Sequence, residues 1–218
     1  MNIFKAALVL SLLILSTSLF SQDSKPMSVK EKKEHFLSII VPAVDEIYDE
    51  LQHQYIDILD HHHDPIYEED ILKLKKVYKV ETNEELLTAL KPHPKSIAIA
   101  QAAMESAWGT SRFFREANNI FGVWSVNPSE PRIAANQKRG TKTIWLKKYN
   151  IAQDSIRDYY KTLGRSGAYK EFRKVKMQTD DPYKIVKELN HYSERGDDYC
   201  KELSSMIKYN KFYLYDKK

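Results

Sequence analysis

An alanine-rich run in the middle of the chain, Ile97-Ala98-Ile99-Ala100-Gln101-Ala102-Ala103-Met104, limits the possible folds more than any other stretch. Ala98, Ala100, Gln101, Ala102, Ala103 and Met104 are good helix formers. Ile97, Ala100, Met104 and Ala107 recur at helical spacing, which predicts an apolar stripe. So little side-chain bulk lets neighbouring helices approach closely. Glu105 is the only ionised side chain between Lys95 and Arg112. Gly109 can take the left-handed conformation that ends the helix, which puts Glu105 in its last turn. There the partial negative charge of the helix end disfavours a carboxylate. Trp108, three residues on, can desolvate it further, and both effects raise its pKa. A carboxyl held protonated near neutrality is what a general acid requires. A surface glutamate that happens to end a helix is the plainer alternative.

The chain turns sharply after Gly109. Thr110 or Ser111 can N-cap a short helix through Arg112–Glu116. Asn118-Asn119 tolerates positive φ and signals a turn. An aromatic-rich extended segment, Ile120-Phe121-Gly122-Val123-Trp124, follows.

Glu105-Ser106-Ala107-Trp108-Gly109-Thr110-Ser111, followed by Asn118-Asn119-Ile120-Phe121-Gly122, resembles the cell-wall β-N-acetylglucosaminidases of glycoside hydrolase family 73. The pattern is most similar to that family's bacterial Bax-like members. The resemblance implies a mainly α, lysozyme-like α+β domain with a small β-hairpin at the substrate cleft and an N-terminal helical extension. It implies hydrolysis of β-1,4 bonds after N-acetylglucosamine in peptidoglycan or a related glycan, of endo-β-N-acetylglucosaminidase type. Water is the co-substrate, with no cofactor and no metal. Glu105 would be the general acid. Many members carry a second Glu in the hairpin, before a strand that resembles Ile144-Trp145-Leu146-Lys147-Lys148-Tyr149. Here Ala134–Arg139 contains no carboxylate, and Glu130 is poorly placed to replace it. Two substitutes remain open: the substrate's own 2-acetamido oxygen, a route some glycosidases use, or Tyr192 with Glu194. Tyr192-Ser193-Glu194 resembles a family motif facing the acid, with Glu where Asp is frequent. Trp108, Phe121 and Trp124 are candidates for stacking on sugar rings, and Asn119 for bonding hydroxyls. Core packing for the aromatics, and a purely turn-forming role for Asn118 and Asn119, are the alternatives. A catalytically silent glycan-binding or scaffold protein would share this motif, and a lytic transglycosylase also uses one Glu in a similar fold.

The rest of the chain supplies the frame. Met1–Ser21 reads as a targeting segment: Lys5, an apolar run from Ala6 to Leu15, then small residues, with cleavage expected after Ser21. The run is short for a membrane span, so export to the periplasm or outside the cell is expected, with the membrane met only through this segment. Cys200 is the sole cysteine; no internal disulfide can form, and it reads as a small buried hydrophobe. A net charge of +4 from 34 basic and 30 acidic residues, dispersed along the chain, is not a nucleic-acid footprint. The expected organisation is a polar leader and helical extension over residues 22–90 and a glucosaminidase domain over 91–218, acting as a monomer. Helical periodicity begins near Glu34 and runs to Leu59, with Pro42 marking either a kink or a start. His61-His62-His63-Asp64 reads as a polar helix end, because adjacent residues share no helical face for a metal. Thr82–Glu85 is a capping box. Val123–Val126 and Thr141–Tyr149 are predicted to pair as the hairpin. Helices are predicted over 151–163, 169–176, 182–189 and 197–209.

Overall fold

The structure, a computed structural model, describes residues 27–139 and 142–217. The predicted targeting segment lies outside them. Nine α-helices and one hairpin form the described part: α1 (Val29–His61), α2 (Glu68–Tyr78), α3 (Asn83–Leu90), α4 (Lys95–Glu105), α5 (Arg112–Ala117), β1 (Arg132–Arg139), β2 (Lys142–Lys147), α6 (Ala152–Arg165), α7 (Lys170–Gln178), α8 (Pro182–Ile185) and α9 (Asp197–Tyr209). Short 3-10 turns follow α8 (Val186–Leu189) and close the described chain (Phe212–Lys217). Among the described residues no helix is long and apolar enough to cross a membrane.

α4 is the axis of the core. Every residue from Lys95 to Ala103 is buried. Ile97 and Ile99 are fully enclosed, each worth roughly 1.5–3 kcal/mol in surface removed from water. The small alanines of this helix let α9 and the closing 3-10 turn lie directly against α4. Lys95 enters this interior with its charge paired to Asp45 at 2.8 Å. Phe36, Ile40, Val44 and Ile47 of α1 join the same core, along with Tyr159, Leu163, Phe172, Leu189 and Leu203. A second cluster, Ile58, Ile71, Tyr78, Leu86 and Leu90, joins the far end of α1 to α2 and α3.

The N-terminal boundary differs from expectation. α1 begins at Val29, inside the stretch expected to be a polar leader, because Ser28 and Glu31 exchange capping hydrogen bonds at 2.6 and 3.3 Å. The helix runs through Pro42 without restarting there. Thr82 and Glu85 form the expected capping box, and Asp181 caps α8 with Pro182 at its first position.

The hairpin also differs. The ladder partner of β2 is Arg132–Arg139, with Val123–Val126 contributing a single bridge: Arg132 faces Lys147, Ile133 faces Leu146, and a bulge lies between Ala134 and Lys138. Val123–Ser125 instead lies along β2's other edge as a short bridge at Trp124. Ser125 N–H donates to Trp145 O at 2.8 Å, and Lys147 N–H donates to Val123 O at 3.0 Å. Pro128 and Pro131 follow at once, and proline cannot donate to a ladder, so this edge segment stays short.

Candidate functional site

The turn that follows α4 shapes the site. Glu105 is the last helical residue, and Ala107, Trp108 and Gly109 then all take positive φ, at 49, 56 and 74°. Two consecutive non-glycine residues in the left-handed region cost of order 1–3 kcal/mol each, so the surroundings must hold them. Ser106, fully buried, is the latch. Its hydroxyl donates to Ala102 O at 2.6 Å and accepts from Gly109 N–H at 2.9 Å, while its carbonyl accepts from Ser111 N–H at 3.0 Å. Trp108 N–H closes back on Ala103 O at 2.8 Å. Gly109 is required twice: for its φ, and because a Cβ there would sit 3.2 Å from Phe114 and 3.3 Å from Phe36. Ser111, and not Thr110, then caps α5 through Phe114 N–H at 3.2 Å. The sequence pattern around Glu105 is therefore the wiring of a tight, strained turn that presents Glu105 and Trp108 to one cavity.

A cavity of about 360 Å³ opens at this turn, lined by Glu105, Trp108, Tyr192, Arg195, Tyr199 and Glu202 among others. Three elements meet there: the end of α4, the turn 192–196, and one face of α9 on which Tyr199, Glu202 and Met206 recur at helical spacing. Tyr199 O–H donates to Glu105 Oε1 at 3.0 Å, and its ring stacks on Tyr192 at 5.5 Å. Arg195 binds Glu202 at 2.5 Å and lies 5.7 Å over the Tyr199 ring. Glu105 is open to solvent along its cavity side, and partial desolvation of the carboxyl by its other neighbours raises its pKa. The Tyr199 hydrogen bond and the Arg195 charge pull it down, and the Glu202 charge adds to the rise. The direction is the expected one, but the named neighbours that act on it are Tyr199, Arg195 and Glu202. Burial likewise pushes the phenols of Tyr192 and Tyr199 far up, so both remain hydroxyl donors. The arrangement can offer a proton from Glu105 to a bound group, with aromatic walls and a second, arginine-paired carboxylate.

Of the residues singled out from the sequence, Glu105, Trp108 and Tyr192 line this cavity; Asn119, Phe121, Trp124 and Glu194 do not. Asn119 is 1% exposed, and its side chain is spent on the backbone. Its amide donates to Val123 O and Lys147 O at 3.0 and 2.8 Å, and its carbonyl accepts from Val123 N–H at 2.9 Å. It clamps the loop to β2. Phe121 is buried, stacked on Tyr159 at 4.0 Å. Trp124 is exposed on the edge of β2, and Glu194 is exposed on the 192–196 turn. Trp108 has a second duty, with Phe36 edge-on at 5.5 Å and Lys33 over its ring at 4.4 Å. The sequence reading missed Tyr199, Arg195 and Glu202. The available signal was the α9 periodicity, which places Tyr199 and Glu202 three apart on one face.

The histidine run at the end of α1 is occupied locally: His61 stacks on Tyr67 at 4.6 Å, and the His62 ring bonds Leu59 O at 2.8 Å. Cys200 is buried, as expected.

Comparison with known proteins matches residues 82–212 to the Glucosaminidase family, described as mannosyl-glycoprotein endo-beta-N-acetylglucosaminidase. Among curated relatives, Exo-glucosaminidase LytG of Bacillus subtilis is 27% identical over 196 residues, covering 88% of this chain and 53% of that protein. Protein bax of Escherichia coli is 28% identical over 123 residues, covering 54% of this chain and 43% of that one. The chain thus spans about half the length of the curated relatives it matches. In fold it is similar to the catalytic domain of the autolysin Auto from Listeria monocytogenes, with a TM-score of 0.56 at 15% identity over 99% of this chain and all of that one. A peptidoglycan hydrolase mutant from Sphingomonas sp. A1 gives a TM-score of 0.51 at 16% identity over 84% of this chain and 97% of that one. The mainly helical, lysozyme-like architecture with one small hairpin is thereby accounted for, and the family match covers more than half of the chain: this protein belongs to the glucosaminidase family.

Proposed function

We propose that this chain is a peptidoglycan hydrolase that cleaves β-1,4 bonds after N-acetylglucosamine, with Glu105 as general acid. The observation that carries this reading is a partly desolvated carboxyl, Glu105, tethered by Tyr199 at the end of α4 and opening into an aromatic-walled cavity, in a chain of this family. Glu105 protonates the leaving glycosidic oxygen, and Trp108 and Tyr192 wall the sugar. Two groups are available for the other face of the ring. One is the substrate's own acetamide, with Tyr192 orienting it. The other is Glu202, which lines the cavity where Glu130 and Glu194 do not. The names of relatives and fold neighbours, an exo-glucosaminidase and a peptidoglycan hydrolase, support this substrate class.

On the same reading, residues 1–21 direct export and are removed, and the mature chain works as a monomer in the cell envelope. Residues 22–90 extend a catalytic domain at 91–218. Mass spectrometry of digested peptidoglycan tests the activity. New reducing N-acetylglucosamine ends are expected. Anhydromuramyl ends would identify a lytic transglycosylase, and the absence of new ends a silent glycan-binding protein.

A further inference from the structure

Behind Glu105 runs a line of buried polar side chains. His93 Nε2 lies 3.0 Å from Tyr159 Oη, Tyr159 O–H donates to Gln101 Oε1 at 2.5 Å, Gln101 Nε2 donates to Tyr199 Oη at 2.8 Å, and Tyr199 O–H donates to Glu105 Oε1 at 3.0 Å. Gln101 and Glu105 are one turn apart on α4, so the same helix face carries both ends of the last segment.

The chemistry of Gln101 gives the line a direction. A primary amide has one acceptor oxygen and one donor nitrogen. Its oxygen is taken by the Tyr159 proton. Its nitrogen fills a lone pair on Tyr199, which leaves Tyr199 only its own proton to give to Glu105. At the far end His93 is neutral, because burial and then the Lys176 charge hold its pKa well below the usual value. With Tyr159's proton committed to Gln101, the His93 contact is completed by an Nε2–H donating to Tyr159. Every bond in the line therefore points toward the carboxyl, and bonds aligned in this way strengthen one another.

We propose that Gln101 and Tyr199 are positioning residues that fix where the Glu105 proton sits. An oxygen that accepts from Tyr199 is disfavoured as the protonated one, so the acidic proton is confined to Oε2. Turned over, the amide would present its oxygen to Tyr199, which would then donate to Gln101 and leave Glu105 free to protonate at either oxygen. That proton is the catalytic one only on the functional reading given above; its placement does not depend on that reading.

The experiment follows the Glu105 carboxyl directly, by ¹³C NMR titration of the full chain against a Glu105→Gln assignment control, beside the pH profile of peptidoglycan cleavage. The groups facing Glu105 are Tyr169, Tyr192, Arg195, Tyr199 and Glu202. None but Tyr199 is altered. Tyr199→Phe removes a donor that favours the carboxylate, so the Glu105 pKa rises by about one pH unit, the scale of a charge-assisted hydrogen bond. The alkaline limb of the activity profile moves up with it, and kcat falls while KM is kept. Tyr199→3-fluorotyrosine preserves the fold and is a stronger donor, so it moves the titration in the opposite direction. An unmoved Glu105 titration in both variants, or a shift of the same sign in both, overturns the proposal. Chains without cleavage activity that nonetheless show the opposed shifts would refute the functional reading and leave the positioning role standing.

Discussion

Replacing Lys176 by Met is expected to stabilise the protein near neutral pH. Lys176 is 4% exposed in α7, and its ammonium donates to Lys91 O. After burial, the influences on it are the positive charges of Arg173 and Lys91; together they push its pKa from 10.5 to about 7. That fall corresponds to about 5 kcal/mol at low pH and slightly less at pH 7. The sign follows from proton counting. Between about pH 7 and 10.5 the unfolded chain binds more protons at this site than the folded one, so this lysine makes stability rise with pH across that window. Below about pH 7 the full penalty applies. Met keeps the apolar stem but leaves the Lys91 carbonyl without its donor, a loss of about 1–3 kcal/mol. The net at pH 7 is a gain on the order of 2 kcal/mol, which vanishes or reverses above about pH 10. Urea unfolding of both proteins from pH 6 to 10.5 is the assay. Parallel stability curves, or a variant less stable at pH 7, would refute the reasoning, because the ammonium would then be solvated or paired in the folded state.

Two further substitutions probe the frame and the cavity. Gly164→Ala should destabilise by about 1–2 kcal/mol in thermal melts: the new Cβ would lie 2.8 Å from Tyr78 Cε1 and 2.9 Å from the immobile carbonyl of Ala89, and overpacking outweighs the gain in helix propensity. Glu202→Gln should lower turnover more than Glu130→Gln, since Glu202 lines the cavity and Glu130 does not; equal, near-native rates for both would assign the far face of the sugar to the substrate's acetamide.

Much of this was legible before any coordinates, and the gaps have physical causes. Helix periods and caps are local, so α3 to α9 fall close to where apolar spacing, Thr82 and Ser111 place them. α1 starts early because the Ser28–Glu31 cap was hidden in a stretch with no apolar period. Val123–Val126 does meet β2, through the bridge at Trp124, but the main strand of the hairpin is Arg132–Arg139, which carries almost no β-favouring residues; that pairing is set by the chain's return over β2, a non-local matter. Glu105 stood out as a lone ionisable group in an apolar helix. Asn119 looked like a polar ligand for sugar, yet its polarity serves three backbone groups that the turn would otherwise leave unpaired. Tyr199 and Glu202 gain meaning only once α9 lies on α4, which periodicity alone does not dictate.

The central claim is that Glu105 supplies the proton, and the most direct measurement compares Glu105→Gln with the parent for peptidoglycan cleavage and for binding to insoluble peptidoglycan. The side chain stays nearly the same size, so the fold, checked by circular dichroism, should persist. Loss of a general acid predicts a fall in turnover of at least about 10²-fold with binding kept. Parent-like cleavage by a correctly folded Glu105→Gln protein would contradict the account.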